Sequence, residues 1–590
     1  MDNNKWDLTT IFESFKCKEF QDGIDGISRD IESLSNVLLN DDFDSSAERF
    51  LDQSNLVMKN IYPLGAYANL RFAADSSDEE AFKYLNKIEE AAAMLTGPFV
   101  RFRKWLSGYE LSAISTSRSP VVAEHAFALK VMMQEAAHML SEPEEILLSK
   151  LQNVGSNAWS SLQTKLTSDL MIEFELDSET KPYSLSMIRN FANHSSRDVR
   201  KRAYEAELKG YERIDEAVAA AVNSIKGEVN IISGMRGFAS PLEESAFYSK
   251  LDPDSIGAMI SAIKEKLPVF RKYLRRKAEL LGHQGGLPFY ELFAPISDKS
   301  PSYTYEEAKE FIIRNFASFS DDLANFAETV FNKRWVDVEP RKGKTGGAFC
   351  AGISGRNQSR ILTNYDGTFS SVSTLAHELG HGYHNSCLYG ETMLNSDYPM
   401  PVAETASIFC ETIITEASLD QALPEEAIFI LEKSIENSTQ IIVDILSRFI
   451  FETNLFEARR NGPLSVRELN ELMINAQKES YGDGLDEDHL HPYMWLCKSH
   501  YYSSSFSFYN YPYAFGLLFA KGLYAVYKNG DSDFPGKYKK LLNNTAKMTA
   551  SDAAATMGID IGNDEFWKGS LSIIEDEIDR FIDLTNSHIS

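Results

Sequence analysis

The chain has 590 residues and carries 59 Lys and Arg against 86 Asp and Glu, a formal charge of −27. Hydrophobic residues make up 43% and aromatics 12%, enough for a large packed core, so a disordered chain is excluded. The acidity argues against nucleic acid or an anionic membrane surface as partner, since both call for a basic footprint.

Single hydrophobic cores stop growing near roughly 250–300 residues, so more than one lobe is expected. The start, Met1-Asp2-Asn3-Asn4-Lys5-Trp6-Asp7-Leu8, is acidic and polar and does not read as a secretory signal. No apolar run approaches the ~18 residues that a bilayer span needs. Five cysteines (Cys17, Cys350, Cys387, Cys410 and Cys497) are scattered without a C-x-x-C pair. Neither a disulfide framework nor a cysteine zinc site is expected, and a reduced cytoplasm is the expected compartment.

From residue 10 to about 280 the apolar spacing predicts helix almost throughout, as over Asp78 to Met94 and Arg200 to Ile232. No fixed period of 30–45 residues with shared signature positions recurs, which disfavours a helical solenoid. Leu281 to Pro288 breaks the pattern. Phe289, Tyr290, Leu292 and Phe293 inside the following stretch mark it as a packed connection rather than a flexible linker.

A second break is different in kind. Lys342 to Ala351 holds three glycines, Ser359 to Tyr365 reads as a short strand, and Asp366-Gly367 supplies a turn. This is the one patch of β-structure expected, with helices resuming to the end. Gly343-Lys344-Thr345 imitates the end of a phosphate-binding loop, but Val338 occupies the place of the first glycine. No G-x-S-x-G elbow occurs. Arg341, Lys342 and Lys344 are too few to mean nucleic acid; a solvated loop is the expectation, ahead of a site for a substrate carboxylate.

Residues 377–381 read His-Glu-Leu-Gly-His. On a helix, His377 and His381 project from one face and can share one ion. Glu378 is rotated about 100° from His377, beside the ion, where a base can take a proton from activated water. Val372, Leu375, Ala376, Leu379, Gly382 and Tyr383 form the opposite, apolar stripe. Gly380, costly inside a helix, points to close packing there. His384 is too far along the axis to join the same site and is read as a structural or supporting histidine. Cys387 stands where a metzincin would place its third histidine.

A catalytic zinc takes three protein ligands and keeps one open position. Pro401 to Ser407 starts a new helix with Glu404 in its first turn, making Glu404 the preferred third ligand. Glu411, two turns on, fits an acceptor that fixes a histidine ring, with a solvated helix charge as the other reading.

The His-Glu-Leu-Gly-His run, followed by Val402-Ala403-Glu404-Thr405-Ala406-Ser407, resembles the thimet-oligopeptidase/oligoendopeptidase F family of zinc metallopeptidases, and its oligoendopeptidase F branch more closely. Trp6-Asp7-Leu8, Tyr290 to Pro295, Lys344 to Cys350 and Asn364 to Thr368 support the resemblance, which runs from the first ten residues to about 520. It implies a mainly α fold, with two helical lobes enclosing a deep substrate channel and a small β-sheet next to the zinc helix. The division expected is an N-terminal helical lobe over 1–190 and the metallopeptidase region over 191–590.

It further implies one Zn2+ per chain on His377, His381 and Glu404, Glu378 as catalytic base and acid, and short unstructured peptides as substrates. Ala348, Phe349, Cys350 and Ala351 resemble the edge on which a peptide lies extended. Residues 489–515 are crowded with aromatics and histidines. Most are expected to be core, but the family draws its oxyanion donors from this region. His500 and Tyr513 are the leading positions, with Tyr509 and Tyr511 as alternates and Tyr511 also a candidate for peptide contact. Removal of carboxyl-terminal dipeptides on the same machinery, or a helical peptide-binding scaffold without catalysis, stay open as alternatives.

Overall fold

Helices dominate the computed structural model, which describes residues 4–40, 42–297, 299–530 and 532–588. Their starts follow local chemistry. Thr304 and Ser465 each close a capping box with the glutamate three residues on, opening helices Tyr305–Phe319 and Val466–Tyr481. Five strands are present among the described residues: β1 (Met171–Leu176), β2 (Glu179–Ser184), β3 (Val336–Asp337), β4 (Phe349–Ile353) and β5 (Gln358–Leu362). No helix among them is long and apolar enough to cross a membrane.

The chain divides into two compact units built from interleaved segments. The first comprises Met1–Met139, Pro301–Asp420 and Tyr527–Ile559. Its core gathers Phe12, Phe15 and Phe20 around Tyr67 with ring centroids 5.0–5.7 Å apart. Trp6 and Leu8 are buried in the same core, and the Asp7 carbonyl accepts a hydrogen bond from Arg360 Nε at 2.9 Å. The first residues are thereby tied to strand β5.

In the three-stranded sheet of this unit β5 is central, parallel to β3 and antiparallel to β4, so β4 forms an edge. The glycine-bearing loop before β4 is held by Asn364, whose amide donates to the carbonyls of Thr345 at 3.0 Å and Gly347 at 2.8 Å. Two of the three basic residues in this loop depart from the expectation of a solvated cluster. Lys344 is buried and pairs with Asp337 at 2.7 Å, and Arg341 holds the same carboxylate at 2.5 Å. A buried aspartate at the end of β3 needs both cations.

Asp366 then caps the turn into the helix Phe369–Cys387, accepting from the amide of Thr368 at 3.0 Å and its hydroxyl at 2.7 Å. This helix carries 377–381 and is called the motif helix below. All six residues of its predicted apolar stripe are buried. It packs against helix Thr405–Leu419, and a Cβ at Gly380 would lie 2.4 Å from the Ala406 carbonyl oxygen and 2.5 Å from Ser407 Cα.

The second unit comprises Leu140–Ser300, Gln421–Val526 and Asp560–Ser590. It is helical apart from the β1–β2 hairpin, which the expectation of near-continuous helix did not include. Ile172 and Phe174 alternate inward with Glu173 and Glu175 outward, and the turn is made by Asp177 and Ser178, both at positive φ. Six residues of alternation without a glycine turn are a weak signal between strong helices. The predicted helical run from Arg200 to Ile232 is two helices, Arg197–Tyr211 and Asp215–Met235. The connection after Leu281 is packed as expected: Tyr290 and Leu292 are buried, and buried Lys277 donates to the Leu292 carbonyl at 3.0 Å.

Gly380→Ala should cost about 1–3 kcal/mol through overpacking, although alanine is the better helix former. The control is Gly257→Ala in helix Pro253–Leu280, where nothing lies within 4 Å of an added Cβ. Helix propensity alone should raise stability there by up to about 1 kcal/mol. Urea unfolding followed by circular dichroism reads both, and a Gly380→Ala protein as stable as the parent would contradict the close packing.

Candidate metal centre

The backbone contact at Gly380 sets the site, because it brings the start of helix Thr405–Leu419 against the middle of the motif helix. Glu404 occupies the junction between the short turn Met400–Ala403 and that helix, as its N-cap rather than in its first turn. Pro399 and Pro401 account for the offset, since a chain rich in proline there makes one separate turn first. Glu404 Oε2 lies 3.3 Å from His377 Nε2 and 3.5 Å from His381 Nε2. Those separations are long for strong hydrogen bonds. They match the roughly 3.3 Å edge of a tetrahedron whose ligands stand about 2.0–2.1 Å from zinc.

Among the described residues, His377, His381 and Glu404 form the one cluster of three or more His, Cys, Asp or Glu side chains able to hold an ion. Each offers one donor atom, and these atoms lie within 4.8 Å of one another. Two imidazoles and a carboxylate are a donor set suited to zinc, and three protein ligands leave a position open. The outer nitrogen of His377, Nδ1, faces Glu411 Oε2 at 3.2 Å. With Nδ1–H donating to this carboxylate, the Nε2 lone pair points at the cluster. His381 is fixed from behind by a hydrogen bond to the backbone of Ala403.

Sequence reasoning missed Ser407, whose hydroxyl donates to Glu404 Oε2 at 2.8 Å. Its position three residues after Glu404, on the same helical face, is the signal that could have found it.

The electrostatics favour a cation. Burial alone would raise the Glu404 carboxyl, yet the two histidines hold it down at about 2. Burial would keep His377 neutral, and Glu404 with Glu411 instead holds it up at about 10. Glu378, buried beside them, is pushed by burial up to about 7. Its Oε2 is buried without any hydrogen-bond partner. A carboxylate oxygen left in that state is costly unless a donor such as a polarised water reaches it. The residues present therefore fit a zinc ion with its water.

His384 stands outside the cluster. It is fully buried, its Nε2 meets Thr545 Oγ1 at 2.8 Å, and its ring lies flat on Tyr398 with centroids 3.9 Å apart. Burial pushes it down to about 3, so it stays neutral and braces the segment leading to Glu404. Cys387 is buried and is no part of the cluster. Ala348 precedes β4, while Phe349, Cys350 and Ala351 lie on it, half-buried. A Cβ at Gly382 would lie 3.6 Å from Cys350 Sγ, which places this edge strand beside the motif helix.

The remaining candidates belong to the second unit. His500 sits on the 3-10 turn Ser499–Tyr502, with its Nε2 buried and unpartnered. Its ring lies 6.1 Å from that of Tyr509, whose hydroxyl is 2.9 Å from that of Tyr513. Tyr511 is buried against Phe449.

Comparison with known proteins gives the family of the chain. The model of peptidase family M3 matches residues 190–572, and that of oligopeptidase F matches 116–171. Group B oligopeptidase PepB of Streptococcus agalactiae is 24% identical over 99% of this chain and 96% of its own. Oligopeptidase PepF of Bacillus subtilis is 25% identical over 98% of this chain and 87% of its own. The crystal structure of oligoendopeptidase-F from Enterococcus faecium superposes with a TM-score of 0.69 at 18% identity, covering 97% of this chain and 99% of that one. A crystal structure from Chlamydophila abortus reaches 0.87 at 21% identity, covering 99% and 98%. The chain belongs to peptidase family M3, in its oligopeptidase F branch, and is a metalloendopeptidase of the oligopeptidase type.

Proposed function

We propose that this chain cleaves short, unstructured peptides with one zinc ion held by His377, His381 and Glu404, and with Glu378 as general base and acid. The observation that carries the reading is the pairing of a three-ligand donor set with an unpartnered, buried Glu378 Oε2 next to it. Zinc bound there would supply a Lewis acid that polarises the scissile carbonyl and activates water. Glu378 takes the proton of the attacking water and delivers it to the amine nitrogen as the carbon–nitrogen bond breaks. Glu411 holds the His377 ring through Nδ1, and Ser407 holds the Glu404 carboxylate.

His500 with Tyr513, or Tyr509, is assigned the role of donor to the developing oxyanion. Supporting this, burial and then the charge of Arg448 keep His500 neutral, at about 2, so one ring nitrogen carries a proton to donate. The Tyr509–Tyr513 hydroxyl pair supplies a second donor. For substrate binding, the edge position of β4 supports Phe349 to Ala351 as the strand on which a peptide adds, whereas Tyr511, only 1% exposed and packed against Phe449, offers a peptide no surface. The catalytic region is assigned to 191–590, after an N-terminal helical part over 1–190. Five free thiols fit a reducing cytoplasm.

Three outcomes test this reading. Glu378→Gln should keep zinc at one ion per chain while cleavage of a quenched fluorescent peptide falls by about 10²–10⁴-fold. Full activity in that variant would remove Glu378 from the mechanism. Glu411→Gln and Ser407→Ala should each weaken zinc binding by about 10–100-fold in competition with a chromogenic chelator, since both orient a ligand. Chelation should abolish cleavage and added zinc restore it; a chelated protein that zinc cannot revive would leave a binding scaffold as the better account.

A further inference from the structure

The first unit holds a cavity of about 420 Å³ that the proposed chemistry does not use. Its lining comes from three directions. Asn55 and Lys59 belong to helix Phe43–Ala74, Gly352 and Ile353 end β4, and Asn385 stands near the end of the motif helix. Strand β4 lies between the two helices. On one face Cys350 meets the motif helix at Gly382 and Gly352 meets it at Asn385. On the other, Ile353 is buried in one core with Val57 and Ile61 of helix Phe43–Ala74. β5 occupies one edge of β4, and no residue of β5 lines the cavity. A space reached from both faces of a strand, and not past its paired edge, opens at the free edge and end of that strand. A peptide added to β4 therefore leads to it.

Asn385 follows Glu378 by seven residues and so lies on the same stripe of the motif helix, two turns on. A Cβ at Gly352 would lie 2.8 Å from Asn385 Nδ2 and 2.9 Å from its Cγ, so the amide rests on the strand where a side chain would displace it. The Tyr398 hydroxyl donates to Asn385 Oδ1 at 3.2 Å and orients the amide. Asn385 is half-buried, and its Nδ2 has no hydrogen-bond partner among the described residues. Charge on the cavity wall is one-sided. Glu391, the one carboxylate in the lining, is taken up by Lys547 Nζ at 2.7 Å and Asn543 Nδ2 at 3.0 Å. Lys59 is exposed and forms no ion pair among the described residues. Its stem passes the turn after β4, with Cγ 3.2 Å from where a Cβ at Gly355 would stand. The cavity thus offers an amide donor and a cation without a counter-charge.

We propose that this cavity takes an acidic side chain of the peptide substrate, with Asn385 Nδ2 as hydrogen-bond donor and Lys59 as counter-charge. The assignment rests on the peptidase reading above, with β4 as the peptide edge, and deepens it by naming a side-chain preference away from the cut. Seven helical residues from Glu378 span about 10.5 Å. An extended peptide rises about 3.3 Å per residue, which sets the acidic residue about three positions from the scissile bond.

Six peptides built on one cleavable sequence test it, with Glu, Gln or Leu placed three residues before or three residues after the cut. On one of the two sides, the native protein should favour Glu over Gln by about two- to fivefold in kcat/KM. On that side it should favour Gln over Leu by about two- to tenfold, and both preferences should lie mainly in KM. In Lys59→Gln the Glu-to-Gln ratio should fall to one while the Gln-to-Leu ratio persists. In Asn385→Ala the Gln-to-Leu ratio should fall to one. Side chains serving only the fold would leave both ratios at their native values. Equal kcat/KM for the three residues on both sides, or either ratio unchanged in its own variant, overturns the proposal. Should Asn385→Ala fail to fold, the Glu-to-Gln ratio in Lys59→Gln decides, since Lys59 is exposed. If the native protein with zinc cleaves none of the six, the peptidase reading fails. Titration calorimetry of the same peptides against the native protein then still tests the cavity, with equal affinities overturning it.

Discussion

The site depends on one backbone contact. Where Gly380 meets Ala406 and Ser407, two helices approach more closely than any side chain would permit. That approach lets Glu404, at the start of one helix, share a donor cluster with His377 and His381 on the other. It also brings Glu411, two turns further on, behind the His377 ring. A glycine that weakens a helix by about 1 kcal/mol in isolation is here the condition for assembling the donors.

Around that contact the first unit is arranged to resist displacement. The sheet edge lies on one side of the motif helix, with Cys350 near Gly382. His384, Tyr398 and Thr545 brace its later turns. Asp366 and Thr368 fix where it begins. Each of these interactions is worth little alone. Together they hold three donor atoms near a tetrahedral spacing in which a carboxylate and two imidazoles would otherwise pair loosely.

The parts legible in the sequence were those with short-range signatures. His377, Glu378 and His381 are readable because helical geometry converts a five-residue pattern into one face. The helical cost of Gly380 points to close packing without identifying the partner. Glu404 was legible as to helix, but its N-cap position was not, because Pro399 and Pro401 separate one extra turn. The β1–β2 hairpin escaped because Ile172 and Phe174 give only a brief alternation. Lys344 and Arg341 escaped because Asp337, although only four residues from Arg341 and seven from Lys344, is buried by the pairing of β3 with β5, which sequence spacing does not show. The interleaving of the two units is likewise invisible to any reading that proceeds along the chain.

Three donors from two helices in glycine-mediated contact are proposed to form a single open zinc site. X-ray absorption at the zinc edge, on the purified chain and on Glu404→Ala, reads that ligand set. The account predicts one zinc per chain, with nitrogen and oxygen ligands at about 2.0–2.1 Å that include two imidazoles, and a loss of affinity when Glu404 is removed. Sulfur scattering at about 2.3 Å, or a ligand shell and affinity unchanged in Glu404→Ala, would contradict it.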